Sequence, residues 1–262
     1  VTLAKLRRAE RRSTDTSAMA GRLVRIDGAS LGYSGEVIVA DLDLELEGPG
    51  GIAIVGPSGS GKSTTLLSLA GLIPPSAGSI SVDGVELAGM EGAALGATVS
   101  LLPQDPKLLR GSLRSNLLRP EAERSDSELW DALTAVNLTE TVKGFDGGLD
   151  AEMGRAAEGF SGGELQRLGL ARLLVNRPSV WLVDEPTSAL DRENSARVLE
   201  LLSAAMDEHL VVVVTHRPEL LHRCKRVIYM DTGAVLDDGT LAEVVSRQPF
   251  VAAMVAEPAA AS

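Results

Sequence analysis

Gly51-Ile52-Ala53-Ile54-Val55-Gly56-Pro57-Ser58-Gly59-Ser60-Gly61-Lys62-Ser63-Thr64 is the stretch from which the fold follows. Gly51 to Val55 is a short apolar run, the mark of a buried strand. Gly56 to Ser63 then fits the full spacing of a phosphate-binding loop. The apolar character that continues from Lys62 to Leu72 predicts a helix. Strand, loop and helix in that order are what the chemistry needs. Glycines let backbone N–H groups converge on an anion, and the helix presents its positive N-terminal end to it. The candidate phosphate contacts are Gly56, Ser58, Gly59, Ser60, Gly61, Lys62, Ser63 and Thr64. Lys62 adds a point charge for the β and γ phosphates, and the Ser63 hydroxyl can ligate Mg²⁺. An incidental Gly/Ser turn is the bland reading, and the flanking strand and helix argue against it.

Outward from this stretch the chain is patterned as an α/β protein. Leu23 to Ile26 and Val37 to Leu46 alternate as half-buried strands do. Ile80 to Val85 reads as a strand with a turn at Asp83-Gly84, and Thr98 to Leu102 as another strand. From Asp105 to about Arg177 the texture is helical. Ser125 is a predicted N-cap with Glu128 completing a capping box, and Leu129, Trp130, Leu133 and Val136 share one face. A Gly-rich loop, Gly144 to Gly159, precedes a helix over Ser161 to Asn176. Then strand and helix alternate: Val180 to Val183, Glu193 to Met206, Leu210 to Val214, Pro218 to His222, Val227 to Met230. Such alternation predicts a mostly parallel sheet with helices on both faces. Val251 to Ser262 is Ala-rich and is expected to be a frayed tail.

The strand Val180 to Val183 runs into Asp184-Glu185 at its C-terminal end, where ligands of open α/β sheets bind. Asp184 is the candidate Mg²⁺ ligand. Glu185 is the candidate general base for an attacking water. His216 closes the strand Val211 to Thr215 and is a candidate to hold the γ-phosphate and orient that water. Ser161-Gly162-Gly163 opens a second helix. By physics alone it is either another anion-binding helix start or a plain Ser N-cap with flexible glycines.

Composition narrows the classes. The 262 residues carry 25 Lys+Arg against 36 Asp+Glu, a net charge of −11, which disfavours binding to a phosphate backbone. Aromatics are only 3%, too few for a base-stacking platform. One cysteine, Cys224, forms no internal disulfide, which fits a reducing compartment. No segment reaches the ~18 apolar residues a membrane helix needs. The basic arm Val1 to Arg12 lacks signal-peptide character. It reads either as a solvated helix or disordered arm, or as the cytoplasmic stub after a membrane helix.

Read together, these motifs resemble the nucleotide-binding domain of ATP-binding-cassette (ABC) transporters, from Arg22 to Arg247. The resemblance implies a P-loop NTPase (RecA-like) fold: a mostly parallel sheet, an N-terminal antiparallel β subdomain and an inserted helical subdomain at about 105–177. The domain spans 21–250, between an arm at 1–20 and a tail at 251–262. By the same resemblance Tyr33 stacks on adenine, and Gln104 lies near Mg²⁺ at the junction to the helical subdomain. By that resemblance too, Ser161 to Gln166 is the signature, with Ser161, Gly162 and Gly163 as its nucleotide contacts acting in trans. Ser188-Ala189-Leu190-Asp191 is the dimer-contact loop, with Asp191 a nucleotide contact, and His216 is the switch histidine. Metal contacts are Ser63, Gln104 and Asp184, and the ligands are ATP and Mg²⁺. The implied assembly is a head-to-tail dimer, each ATP between one chain's phosphate loop and the other chain's signature.

Val99 to Asn116 and Gly148 to Gly159, with Glu152, are similar to exporter-type stretches. Phe160, Glu164 and Arg155-Ala156-Ala157 depart from the exporter pattern, none at a phosphate donor. The implied partners are transmembrane domains, in the same or a separate chain, and a second nucleotide-binding domain, identical or different. The implied location is the cytoplasmic face of the inner or plasma membrane. The alternatives are the separate ATPase of an importer, a soluble cassette ATPase of DNA repair or ribosomes, and a nonhydrolytic ATP-binding module. The absence of a long coiled-coil insertion and of a second cassette disfavours the soluble class. Glu185 and His216 together disfavour the nonhydrolytic one.

Overall fold

The computed structural model describes residues 22–120, 122–154 and 159–256. The basic arm and Arg155-Ala156-Ala157 lie outside the described residues. In chain order the elements begin β1 (Leu23–Tyr33), β2 (Glu36–Glu47), β3 (Gly50–Val55), α1 (Lys62–Leu69), β4 (Ala77–Val82), β5 (Val85–Glu86), α2 (Gly92–Thr98) and β6 (Val99–Leu102). There follow β7 (Gly111–Ser112), α3 (Leu113–Leu117), α4 (Asp126–Ala135), α5 (Thr139–Lys143), β8 (Glu152–Met153) and α6 (Gly162–Asn176). The remainder is β9 (Val180–Asp184), α7 (Arg192–Ala205), β10 (Leu210–Val214), α8 (Pro218–Leu221), β11 (Arg226–Asp231), β12 (Ala234–Gly239), α9 (Leu241–Arg247) and α10 (Pro249–Ala256). The described residues divide into two compact units. One holds 22–101, Pro178–Pro186 and 202–256; the other holds Leu102–Arg177 and Thr187–Leu201.

The first unit is built on two sheets. The larger has the order β12-β11-β3-β10-β9-β6. β3, β9 and β10 are buried along their whole lengths, as expected of central parallel strands covered on both faces. β10 pairs in parallel with β3 on one side and β9 on the other, and β11 pairs in parallel with β3. One register row matters most: Val214 stands opposite both Ile54 and Asp184. It aligns the C-terminal ends of three strands on one edge. The smaller sheet has the order β2-β1-β4-β5 and is antiparallel at every pairing. On β2, Leu42, Leu44 and Leu46 are buried while Asp41, Asp43, Glu45 and Glu47 are exposed, the period of two that a half-buried strand requires. Burying each such leucine contributes roughly 1.5–3 kcal/mol.

The second unit is mainly helical. Ser125 and Glu128 form the expected capping box at α4. Leu129, Leu133 and Val136 are buried, whereas Trp130 is only half-buried. α3 is held by Asn116, whose side-chain amide takes the Leu109 N–H at 2.8 Å and donates to the Leu109 carbonyl at 2.9 Å.

The structure corrects several sequence expectations. The helix from Lys62 ends at Leu69, not Leu72. Gly71 takes φ 69°, and the Gly71 and Leu72 N–H groups turn back onto Ser68 and Leu67. That is a glycine C-terminal stop, and it leaves Leu72 64% exposed. The stretch Gly144 to Gly159 is not a plain loop. It holds a 3₁₀ turn at Gly148–Asp150 and β8, which pairs with β7. The tail is not frayed from Val251: residues Pro249–Ala256 are helical, Val251 is fully buried, and the Phe250 ring lies 5.9 Å from that of Tyr229.

Candidate functional site

At the edge where β3, β9 and β10 end, the sequence supplies three different chemistries. After Val55 the chain enters the Gly56–Gly61 loop. Gly56 has φ 152°, and a Cβ there would meet the Met230 carbonyl oxygen at 1.9 Å, so only glycine fits. Gly61, with φ 98°, is the left-handed residue at which the loop becomes α1, and Gly59 is also left-handed. Ser58, Gly59 and Ser63 are exposed, while Gly56, Ser60, Gly61, Lys62 and Thr64 are buried.

Lys62 folds back on its own loop. Its Nζ donates to the Gly56 carbonyl at 2.9 Å, the Pro57 carbonyl at 2.6 Å and Ser60 Oγ at 3.4 Å. Burial lowers its pKa, and Glu185 and Asp184 pull it back up. Asp184, at the end of β9, is raised by burial and held down by a hydrogen bond with the Ser63 side chain and by the charge of Lys62. Two of the three oxygen donors read from the sequence for a divalent ion, Ser63 and Asp184, therefore touch.

Glu185 follows in a left-handed conformation, φ 45°, which a side chain adopts only at a cost of order 1–3 kcal/mol. Its N–H donates to the Val214 carbonyl at 2.9 Å, which joins β9 to β10 at the site. His216 Nε2 lies 3.2 Å from Glu185 Oε1. Burial, and next the charge of Asp184, push Glu185 up to about 7. Burial and Lys62 push His216 below its ordinary value. Both shifts disfavour the charged forms and so weaken the ion pair that the 3.2 Å approach would otherwise make. Tyr33, 42% exposed, is fixed by its hydroxyl, 2.7 Å from Thr64 Oγ1.

A stability prediction follows for the nucleotide-free, metal-free chain. Glu185 binds a proton between about pH 4.5 and 7 when folded but not when unfolded. Its contribution is therefore present below about pH 4.5 and lost as pH rises through about 7, a change of up to about 3 kcal/mol. Glu185→Gln is expected to flatten that part of the profile. Urea unfolding from pH 4.5 to 8 checks it, and parallel curves for both proteins contradict it.

The other predicted residues lie in the helical unit. Gln104 is exposed, two residues after β6. Ser161 is the N-cap of α6. Its Oγ accepts from the Glu164 N–H at 3.3 Å and donates to Glu164 Oε2 at 2.8 Å, and its own N–H donates to the same oxygen at 2.9 Å. Thr141 Oγ1 also donates to Glu164, at 2.9 Å. The cap reading of Ser161 is thus realised, and its one hydroxyl proton is engaged with Glu164. Asp191, just before α7, accepts from the backbone and side-chain N–H groups of Asn194, each at 2.8 Å. From the sequence Gln166 is only the last residue of the signature stretch Ser161 to Gln166; the structure adds that its side chain is buried.

Fold and loop define a P-loop nucleotide-binding protein. The description "ABC transporter" fits residues 39–188. Over 218 residues the chain is 37% identical to the mycobactin import ATP-binding/permease protein IrtB of Mycolicibacterium smegmatis, covering 83% of this chain and 38% of that protein. It is 36% identical over 210 residues to the ABC multidrug transporter MDR2 of Trichophyton tonsurans, covering 79% of this chain and 15% of that protein. A bacterial Atm1-family ABC exporter solved with ATP bound superposes with TM-score 0.80 at 29% identity, over 91% of this chain and 42% of that one. The chain belongs to the ABC transporter family and is its ATPase domain. It spans well under half the length of these relatives. Among the described residues no helix is long and apolar enough to cross a membrane.

Proposed function

We propose that this chain is the motor of an exporter-type transporter, hydrolysing ATP at the shared edge of β3, β9 and β10 and passing the resulting cycle to transmembrane domains at the cytoplasmic face of a membrane. The observation that carries the reading is the row Ile54–Val214–Asp184, which gathers the loop, the acid pair and His216. The donor set suits Mg²⁺: a carboxylate bonded to a hydroxyl, both hard oxygen ligands, beside a loop shaped for phosphates. Ser63 and Asp184 would hold it. Bound there it neutralises charge on the phosphates.

The chain's own residues do the rest. Loop amides and Lys62 bind the β and γ phosphates and stabilise charge that grows during in-line attack. Glu185 takes the proton of the attacking water, and His216 keeps Glu185 oriented and reaches the γ-phosphate. Tyr33, anchored through Thr64, offers its exposed ring to the base. The second glycine-opened helix start, Ser161-Gly162-Gly163, and Asp191 serve the ATP of a partner chain in a head-to-tail dimer, identical or different. ATP then joins the two chains, and hydrolysis releases them.

Import through the same architecture is a second reading, favoured by one observation: the relative IrtB is named an import protein.

The sandwich is tested at Ser161. Ser161→Ala removes an N-cap, at about 1 kcal/mol, whereas Ser161→Gly costs only a few tenths. Both variants are expected to bind ATP as single chains with unchanged affinity and to lose Mg-ATP-driven association by about tenfold or more. Sedimentation with and without Mg-ATP measures it. Association of Ser161→Gly at the parent's affinity contradicts the trans role.

A further inference from the structure

Gln166 sits one turn inside α6 and is 1% exposed. A buried side-chain amide is costly unless both of its ends are paired. Here both ends meet one target. Oε1 accepts from the Ala189 N–H at 3.3 Å, and Nε2 donates to Ser188 Oγ at 3.3 Å. Gly163, three residues earlier and so on the same helix face, presses on the same turn. A Cβ at Gly163 would stand 2.7 Å from the Ala189 carbonyl oxygen. α6 therefore grips the Ser188–Asp191 turn at two levels, one by close backbone approach and one by an amide. Around this grip the groups that face outward are each fixed locally. Ser161 is held by Glu164, and Asp191 by Asn194. Ser161, Gly162, Ser188, Ala189 and Asp191 are all exposed.

We propose that Gln166 is a positioning residue that locks the start of α6 to the Ser188–Asp191 turn, so that both meet a partner chain as one preorganised surface. The proposal rests on the two-chain reading above. Docking two loosely related elements spends binding free energy on ordering them, and a shared buried clamp removes that cost. The amide suits the task because it accepts and donates in one plane, fixing the turn's backbone at Ala189 and its side chain at Ser188 together. A leucine of similar size fills the space and leaves the Ala189 N–H without this acceptor.

The test uses the Glu185→Gln chain, with Mg-ATP-driven association read by sedimentation and single-chain nucleotide affinity read with a fluorescent ATP analogue. Gln166→Leu in that background is expected to weaken association about tenfold and to leave single-chain affinity within about twofold. Gln166→Glu keeps the shape and the acceptor but loses the donor. Its expected loss is about threefold, and it carries the test if the leucine variant does not fold. Ser188→Ala should weaken association in the parent and add nothing to Gln166→Leu, the non-additivity of one shared contact. Unchanged association in Gln166→Leu and Gln166→Glu, with a parent that associates, overturns the clamp and leaves the sandwich standing. So does a fall in melting temperature and nucleotide affinity with association intact, which assigns Gln166 to packing alone. A parent that stays single in Mg-ATP overturns both readings at once.

Discussion

Glu185→Gln is expected to cut ATP turnover by about 10²–10⁴-fold, the range a positioned general base supplies, while ATP binding persists. The site is arranged to make this carboxylate basic. Burial and the adjacent Asp184 push it up to about 7, so it can take a proton near neutral pH. The strained backbone at φ 45° and the His216 contact at 3.2 Å hold it in one orientation. Glutamine keeps the shape but has no lone pair of comparable basicity. It also removes a negative charge from beside the phosphates, so the ATP-bound, two-chain form is expected to accumulate rather than dissipate. Single-turnover hydrolysis and sedimentation in Mg-ATP measure the two effects separately. A fall in turnover of less than about fivefold would remove Glu185 from the role of base. Normal turnover loss without association would instead isolate the failure to the dimer.

The parts of this site visible in the sequence were those with short-range causes. The glycine spacing at Gly56, Gly59 and Gly61 follows from local backbone geometry, and the structure gives all three positive φ. The continuous apolar runs Gly51 to Val55 and Leu210 to Val214 follow from burial on both faces, and both are fully buried strands. Parallel strands then carry Asp184 and His216 to the loop, because their C-terminal ends share an edge.

What was missed had causes at longer range or in weaker signals. α2, over Gly92–Thr98, has no buried residue and so no apolar stripe to read. β12 alternates only between half-buried and exposed positions and exists as the antiparallel partner of β11. α9 did carry a local signal, the capping box of Thr240 and Glu243, of the same kind that located α4. Gln166 was legible only as part of the signature stretch Ser161 to Gln166; its contact with a turn 22 residues away is something no periodicity encodes. The Ser161 hydroxyl illustrates the opposite case. The sequence left a cap and an anion site open, and the folded chain makes the cap, with Glu164 as its acceptor. For a partner's phosphate to use that hydroxyl, its proton must leave Glu164, so the cap and the phosphate compete for a single donor.

Lys62→Ala is expected to raise the Kd for ATP by about 100-fold or more, and to abolish measurable turnover. The ammonium is the one cation that the loop itself carries toward its phosphate cradle. Its donors already rest on the Gly56 and Pro57 carbonyls, so the side chain is placed and desolvated before nucleotide arrives. A charge-assisted hydrogen bond contributes about 1.5–3 kcal/mol, and a phosphate that meets a preorganised, partly buried ammonium gains at the upper end of that range. The deletion has a second consequence. Lys62 offsets both Asp184 and Glu185, holding both carboxyls down against burial, with Arg217 also acting on Glu185. Without it both rise further, Asp184 is less available to a divalent ion, and the loss of nucleotide affinity should be larger in the presence of Mg²⁺ than in its absence. Lys62→Arg tests geometry against charge. Its planar fork cannot place a point charge over the Gly56 and Pro57 carbonyls, so it should recover only a small part of the affinity. Isothermal titration of ATP, with and without Mg²⁺, reads all three proteins. Equal affinities for the parent and Lys62→Ala would show that the glycine loop is not the phosphate site.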